Sequence, residues 1–203
     1  MTAGRLSLRE VPRFVLASGS PRRRELLEEA GYKFDVVRPM VAEVSDAWLT
    51  IRETTACNAM RKAVEVAQNT PGAVVLGADT LVALDGRVIG KPVDLASAAR
   101  ILQHLSGRSH EVWTSVFVCR PASGRAHSFQ ELSQVRFRRL NRGAIAKYLA
   151  KVDPLDKAGA YAAQGHGVEI IERIEGSYSN VVGLPMEETA RVLRAFGIIS
   201  RRV

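Results

Sequence analysis

Apolar and polar positions alternate along the chain with two periods, and the switches between them mark out short elements. Residues 13–18 (RFVLAS) form an apolar run with a β-branched residue, ended by Gly19, and predict a buried strand. A helix follows at once: Ser20 can cap it, Pro21 suits its first position, Leu26, Leu27 and Ala30 form an apolar stripe, and Gly31 stops it. Residues 34–37 predict a second strand, and residues 54–67 a longer helix with Ala56, Ala59, Ala63 and Val66 at helical spacing. Residues 73–78 predict a third strand, ending just before Asp79. Residues 81–89 hold Asp85-Gly86 between apolar runs, the chemistry of a hairpin turn.

Residues 95–105 return to the helical period through Ala98, Ile101, Leu102 and Leu105, with Ser106-Gly107 closing the helix. Two long strands, 110–119 and 126–137, are expected around a Pro121–Gly124 turn. Asn141 can cap a helix running to Ala150, residues 168–174 predict another strand, and residues 187–196 a terminal helix. Alternating strands and helices with hairpins among them predict an α/β fold with a mixed sheet. No repeat, low-complexity tract or linker marks a boundary, so residues 1–203 read as one domain with a flexible N-terminal extension over residues 1–12.

Composition narrows the function classes. With 46% hydrophobic and 25% charged residues the chain can bury a core and is no disordered tail. No stretch approaches the roughly 20 apolar residues that cross a bilayer, and the N-terminus has arginines but no continuous apolar segment, so a cytoplasmic protein is expected. Cys57 and Cys119 stand far apart, with neither a disulfide framework nor metal-ligand spacing, and are expected as core thiols. Lys and Arg number 29 against 21 Asp and Glu, a formal charge of +8 that attracts anions: nucleic acid, acidic lipid, nucleotides or phosphorylated metabolites. Part of the excess, Arg136, Arg138, Arg139, Arg142, Lys147 and Lys151, is expected as a solvated face. Aromatics are only 6% and do not alternate with basic residues, so no stacking platform for single strands is evident.

Three segments could carry chemistry. In Ser18-Gly19-Ser20-Pro21-Arg22-Arg23 a glycine turn between a strand and a helix offers backbone N–H groups, a helix dipole and two arginines to an anion. Neither GxxxxGK[ST] nor GxGxxG is present, and a capped helix with solvated arginines is the plainer alternative. In Gly77-Ala78-Asp79-Thr80 a carboxylate ends an apolar strand; buried there it requires a metal, a base role or a basic partner, and otherwise it is a turn-former. Lys62, Lys91 and Glu43, each alone, are ordinary surface residues. The third segment is DPLDKAGAYAAQGHG with EGSYSNVVGLP, where small residues allow close approach to a ligand and Gln164 offers a donor and an acceptor to a base edge.

Taken together, LASGSPRRRELLEEAG, GADTLVALDGRVIGKPVD, DPLDKAGAYAAQGHG and RIEGSYSNVVGLPM resemble the Maf family of nucleoside triphosphate pyrophosphatases, colinearly from Phe14 to Phe196. The resemblance implies an inosine-triphosphatase-like α/β fold, a mixed twisted sheet with flanking helices and two lobes around a cleft. It also implies a homodimer and a divalent cation, Mg²⁺ or Mn²⁺. By its motif Asp79 is the proton acceptor, and Arg22, Thr80 and Gln164 are the substrate-selecting positions, of the type found in the dTTP/UTP branch rather than the 7-methyl-GTP branch. Ser18, Arg23, Lys62 and Lys91 match the phosphate-side positions, and Glu43, with Asp79, the metal side. One departure is Val41-Ala42-Glu43, which lacks the acidic residue that precedes this glutamate in the family. The implied reaction is attack of water on the α-phosphorus, Asp79 acting as base or as metal ligand, to yield a nucleoside monophosphate and pyrophosphate. The possible duties are cleaning of the nucleotide pool and arrest of division. A nucleic-acid-binding module, suggested by charge, and a nucleotide sensor of septation are the other classes; retention of all the polar matches favours the enzyme.

Overall fold

The computed structural model describes residues 12–202, so the extension expected at the N-terminus lies, Pro12 apart, outside the described residues. The first strand, β1 (Phe14–Ala17), is buried along its whole length, and the strand period divides its side chains between two cores. Phe14 and Leu16 join the larger one, while Val15 and Ala17 join a smaller cluster with Ala63, Val66, Val75 and Cys119. Helix α1 (Pro21–Glu29) starts at Pro21 and stops before Gly31, whose φ of +79° breaks the helical run. Ser20 takes the N-cap position without a side-chain cap; its own backbone N–H donates to Ser18 Oγ at 3.1 Å.

Strand β2 (Asp35–Val37) pairs parallel to β1. Helix α2 spans Ile51–Gln68, one turn longer at its start than the apolar stripe indicates. That turn is set by a capping box: Thr50 accepts from the Glu53 N–H, and the Glu53 carboxylate accepts from the Thr50 N–H. Strand β3 (Val74–Leu84) pairs parallel to β1 and runs straight through Asp79-Thr80. Asp79 is therefore in mid-strand and not at a strand end. The reason is non-local: the long antiparallel strand β5 (Ser109–Arg120) sets Ser115 opposite Asp79 and Thr114 opposite Thr80, polar partners for polar residues.

Strand β4 (Arg87–Ile89) returns antiparallel on β3 across a turn at Asp85 and Gly86, with φ of +50° and +73°, as Asp-Gly predicts. Helix α3 (Leu95–Leu105) matches its expected span. Strand β6 (Arg125–Phe137) pairs with β5 across a short 3₁₀ turn, and helix α4 (Arg142–Leu149) is capped by the Asn141 side chain. Strand β7 (Ile171–Glu175) starts later than the expected 168–174, because residues 165–169 wind into a 3₁₀ turn. The apolar run there packs as a turn before it enters the sheet. A short helix α5 (Tyr178–Val182), capped by Ser177, occupies the stretch expected as loop, and helix α6 (Met186–Ala195) closes the chain.

The sheet order is β2-β1-β3-β5-β6-β7, with β4 on β3, so a parallel half joined through helices continues into an antiparallel half joined by hairpins. This is the expected mixed α/β fold. Helix α2 lies close on β3 because residue 77 is glycine: a Cβ there would sit 2.4 Å from the Ala59 carbonyl oxygen and 2.7 Å from the Ala63 nitrogen. No described helix is long and apolar enough to cross a membrane. Cys119 is buried as expected and Cys57 half-buried, and both are free thiols. Two of the basic residues between 136 and 151 find distant acids, Arg136 with Glu172 and Lys151 with Glu169.

In the larger core His110 stacks edge-on against Phe137 and Tyr161, and its Nε2 lies 2.9 Å from Tyr161 Oη. Burial lowers its pKa to about 4, so the folded state holds the neutral ring while the unfolded chain takes up a proton near pH 6.5. Folding is then opposed by protonation, and stability falls as pH drops from about 6.5 to about 4. A wild-type protein melted at pH 7 and pH 4.5 is expected to lose up to about 3 kcal/mol through this histidine. The His110→Phe variant should show a smaller loss over the same interval. Equal losses in the two proteins would remove His110 as the cause.

Candidate active site

Several segments meet at an open cleft of about 700 Å³, among them the β1–α1 turn, the irregular segment 38–50, α2, the middle of β3, the turn after β4, the loop after α4 and the end of α5. Its lining includes Ser18, Arg22, Arg23, Glu43, Lys62, Asp79, Thr80 and Lys91, residues spread over 74 positions of the sequence. Eight of the nine candidate residues therefore converge. The ninth, Gln164, is not among the lining residues; it stands at the N-cap of the 3₁₀ turn at Gly165–Glu169.

The centre is Lys62. Its ammonium donates to Asp79 Oδ1 and to Glu43 Oε1, each at 2.6 Å. Lys62 and Asp79 are buried, while the Glu43 side chain keeps 49% of its exposure and faces the cleft. Burial alone would raise the Glu43 pKa, but the hydrogen bond and charge of Lys62, with Lys91 and Arg23 behind it, hold the carboxyl below its ordinary range. Two carboxylate oxygens converging on one cation are hard donors of the kind Mg²⁺ or Mn²⁺ takes, with water and phosphate oxygens completing the shell. Among the described residues no third His, Cys, Asp or Glu joins them. In donor type Glu43 and Asp79 match a small divalent cation, which would compete with the Lys62 ammonium for the same oxygens.

Arg23 forms the opposing wall. Its guanidinium is buried and donates to the Gly183 carbonyl at 2.8 Å, Thr80 Oγ1 at 3.0 Å and Ser18 Oγ at 3.3 Å, all uncharged oxygens. Burial lowers its pKa against the opposing pull of Asp79, yet an arginine keeps its proton in proteins. Among the described residues this fixed positive charge in the cleft wall has no carboxylate hydrogen-bond partner, an arrangement that favours an anion. Thr80 serves this wall: its hydroxyl accepts from Arg23 and lies 2.9 Å from Thr114 Oγ1.

At the rim Arg22 Nη1 donates to Asp156 Oδ2 at 2.9 Å, joining the first turn of α1 to a loop 134 residues away, and Lys157 meets the same carboxylate. Burial would raise Asp156, but its hydrogen bonds to Lys157 and Arg22 bring it below the ordinary carboxylate range. Asp156 and Lys157 were not singled out in the sequence; two opposite charges inside a small-residue loop were their signal. Asn58 was also missed. It stands four residues before Lys62 on α2, hence on the same helix face, and its Nδ2 lies 3.3 Å from Asp79 Oδ2.

A family model described as Maf-like protein matches residues 13–196. The dTTP/UTP pyrophosphatase of Bacillus pumilus (strain SAFR-032) is 44% identical over 184 residues, 91% of this chain and 96% of that protein. The dTTP/UTP pyrophosphatase of Bacillus anthracis (strain CDC 684 / NRRL 3495) is 42% identical over 186 residues, 92% of this chain and 96% of that protein. Among solved structures, the Ham1 protein of Staphylococcus aureus aligns with a TM-score of 0.43 and 16% identity, over 62% of this chain and 71% of that one.

Replacing Lys62 by Met leaves Glu43 and Asp79 facing each other without their cation. Removal of one partner from such a pair is expected to cost about 3 kcal/mol at pH 7, read from urea unfolding. Because Lys62 is the strongest of the groups that hold Glu43 below its ordinary range, that contribution is present above the unfolded value and lost as pH falls. The gap between the two proteins should therefore narrow on acidification; a gap independent of pH would contradict the charge-pair origin.

Proposed function

The chain belongs to the Maf-like protein family, and on that premise we propose that it is a nucleoside triphosphate pyrophosphatase, hydrolysing dTTP and UTP to the monophosphate and pyrophosphate. The observation that carries the reading is one cleft in which a buried, carboxylate-free Arg23 faces the Lys62, Glu43 and Asp79 cluster. A triphosphate needs cations for its charge and a carboxylate for the attacking water, and both stand on rigid elements here.

In this reading the phosphate chain lies against the start of α1, with Arg23 and Lys91 opposing its charge. Ser18 and Thr80 hold the Arg23 fork in place, so no reorganisation is needed when charge builds on the bridging oxygen. Asp79 accepts the proton of the water that attacks the α-phosphorus, and the Lys62 ammonium, 2.6 Å from Oδ1, holds that carboxylate in place. The bond between the α-phosphorus and the bridging oxygen breaks, and pyrophosphate leaves with that oxygen. Glu43 and Asp79 are the residues that would hold a divalent cation, Mg²⁺ or Mn²⁺, which when bound supplies charge neutralisation to the phosphates. For the base, Arg22 at the rim offers donors to the two carbonyls that flank the N–H of uracil and thymine. Thr80 and Gln164 are added to this role on their motif positions alone, since the Thr80 hydroxyl is engaged by Arg23 and Gln164 does not line the cleft. With the activity go further proposals from the same resemblance: a cytoplasmic homodimer that cleans the nucleotide pool or arrests division.

The test is a panel of dTTP, UTP, CTP, GTP and 7-methyl-GTP with Mg²⁺ or Mn²⁺, separating pyrophosphate from orthophosphate. Pyrophosphate from dTTP and UTP, with CTP poor because an amine replaces one carbonyl, is the expected result. Orthophosphate, or no turnover of any member, would move the weight to a sensing role. The Asp79→Asn variant should lose turnover while still binding nucleotide, since the shape persists and the charge does not; wild-type turnover in it would take Asp79 out of the mechanism.

A further inference from the structure

Glu43 sits in a stretch of backbone that has no ladder or helix to hold it. Residues 38–50 form no regular element. Beyond the cap at Thr50, their hydrogen bonds to the rest of the described chain come from two adjacent residues, Glu43 and Val44. The Val44 N–H donates to Asn58 Oδ1 at 2.7 Å, and Asn58 Nδ2 donates back to the Val44 carbonyl at 3.1 Å. One amide thus closes a two-point contact on the N–H and C=O of one residue, as a neighbouring strand would. The second Nδ2 proton is directed at Asp79 Oδ2 at 3.3 Å, so both donors of a residue only 3% exposed are used.

Two consequences follow for the carboxylates. Anchoring Val44 fixes the peptide next to Glu43, which keeps its side chain within reach of Lys62. Donation to Asp79 Oδ2 occupies that oxygen from behind and leaves Oδ1 turned to Lys62. Helix α2 holds Asn58 and Lys62 one turn apart, and Gly77 lets the helix approach β3 closely enough for both to reach Asp79. We propose that Asn58 is the positioning residue of this site, setting Glu43 and Asp79 in register with each other by gripping Val44 and Asp79 at once. It touches no substrate in this scheme, and its effect on turnover rests on the pyrophosphatase reading above.

The experiment is a double-mutant cycle with Asn58→Leu, Glu43→Gln and the pair, read in kcat and KM for dTTP below each variant's melting temperature. If Asn58 acts through the carboxylates, Asn58→Leu lowers kcat by about 10- to 100-fold. Adding Glu43→Gln then costs much less than it does in the wild type. A purely structural asparagine would lower the melting point with kcat intact, or give losses that multiply, and either result overturns the proposal. Should Asn58→Leu not fold, Asn58→Asp replaces it, keeping the acceptor for the Val44 N–H and losing both donors; unchanged kcat there overturns the proposal too. The same cycle is run in urea. If the wild type hydrolyses no triphosphate the pyrophosphatase reading falls, while zero coupling between positions 58 and 43 in urea separately rejects the positioning role.

Discussion

A lysine ammonium between two carboxylates is the contact around which this molecule is organised. Lys62 could not be buried without them, since an unpaired charge away from water costs several kcal/mol, and Asp79 could not sit inside a strand without it. The surrounding architecture meets that requirement from three directions. The β5 strand places Ser115 and Thr114 against the polar stretch of β3, Gly77 admits the helix, and Asn58 ties down the segment that carries Glu43. Each of these features is costly or neutral for a generic sheet and helix pair and makes sense only around the charged centre.

The second electrostatic feature is complementary. Arg23 is desolvated and held by neutral oxygens, so its charge is directed to whatever enters the cleft. Preorganisation of this kind suits phosphoanhydride chemistry, where little covalent help is required and charge placement dominates. The acid cluster and the arginine wall divide the cleft into a side of ion-paired carboxylates and a side with a fixed positive charge. At the rim, the Arg22–Asp156 bridge links the start of α1 to the loop after α4.

Local signals served the fold well where one element could be understood by itself. The α3 helix, the Asp85-Gly86 hairpin, the Asn141 cap and the Gly31 stop all depend on residues within a few positions of each other. The elements that differ do so for two reasons, a distant partner for β3 and a competing helical turn for β7 and α5. Strand β3 continues through Asp79 because β5 pairs with it, β7 starts late because the preceding turn packs as 3₁₀, and α5 is capped by Ser177 inside a stretch rich in small residues. The start of α2 was an exception: its Thr50–Glu53 capping box was present in the sequence and passed over in favour of the apolar stripe.

For the site, the resemblance of four motifs in chain order to the Maf family, with Glu43 and Lys62 matched between them, implies nine residues and a reaction class. The resemblance carries no distances. That Lys62 bridges Glu43 and Asp79, that Arg23 lacks an acid, and that Thr80 is spent on Arg23 all arise from contacts between residues 17 to 57 positions apart. Asn58 and Asp156 stayed invisible for the same reason, since an asparagine on a helix and an aspartate in a loop have many ordinary uses. Residue identity determined which chemistry was possible here. Only the packing of α2 on β3, allowed by the missing side chain at Gly77, decided which groups share one point in space and hence which charge each of them feels.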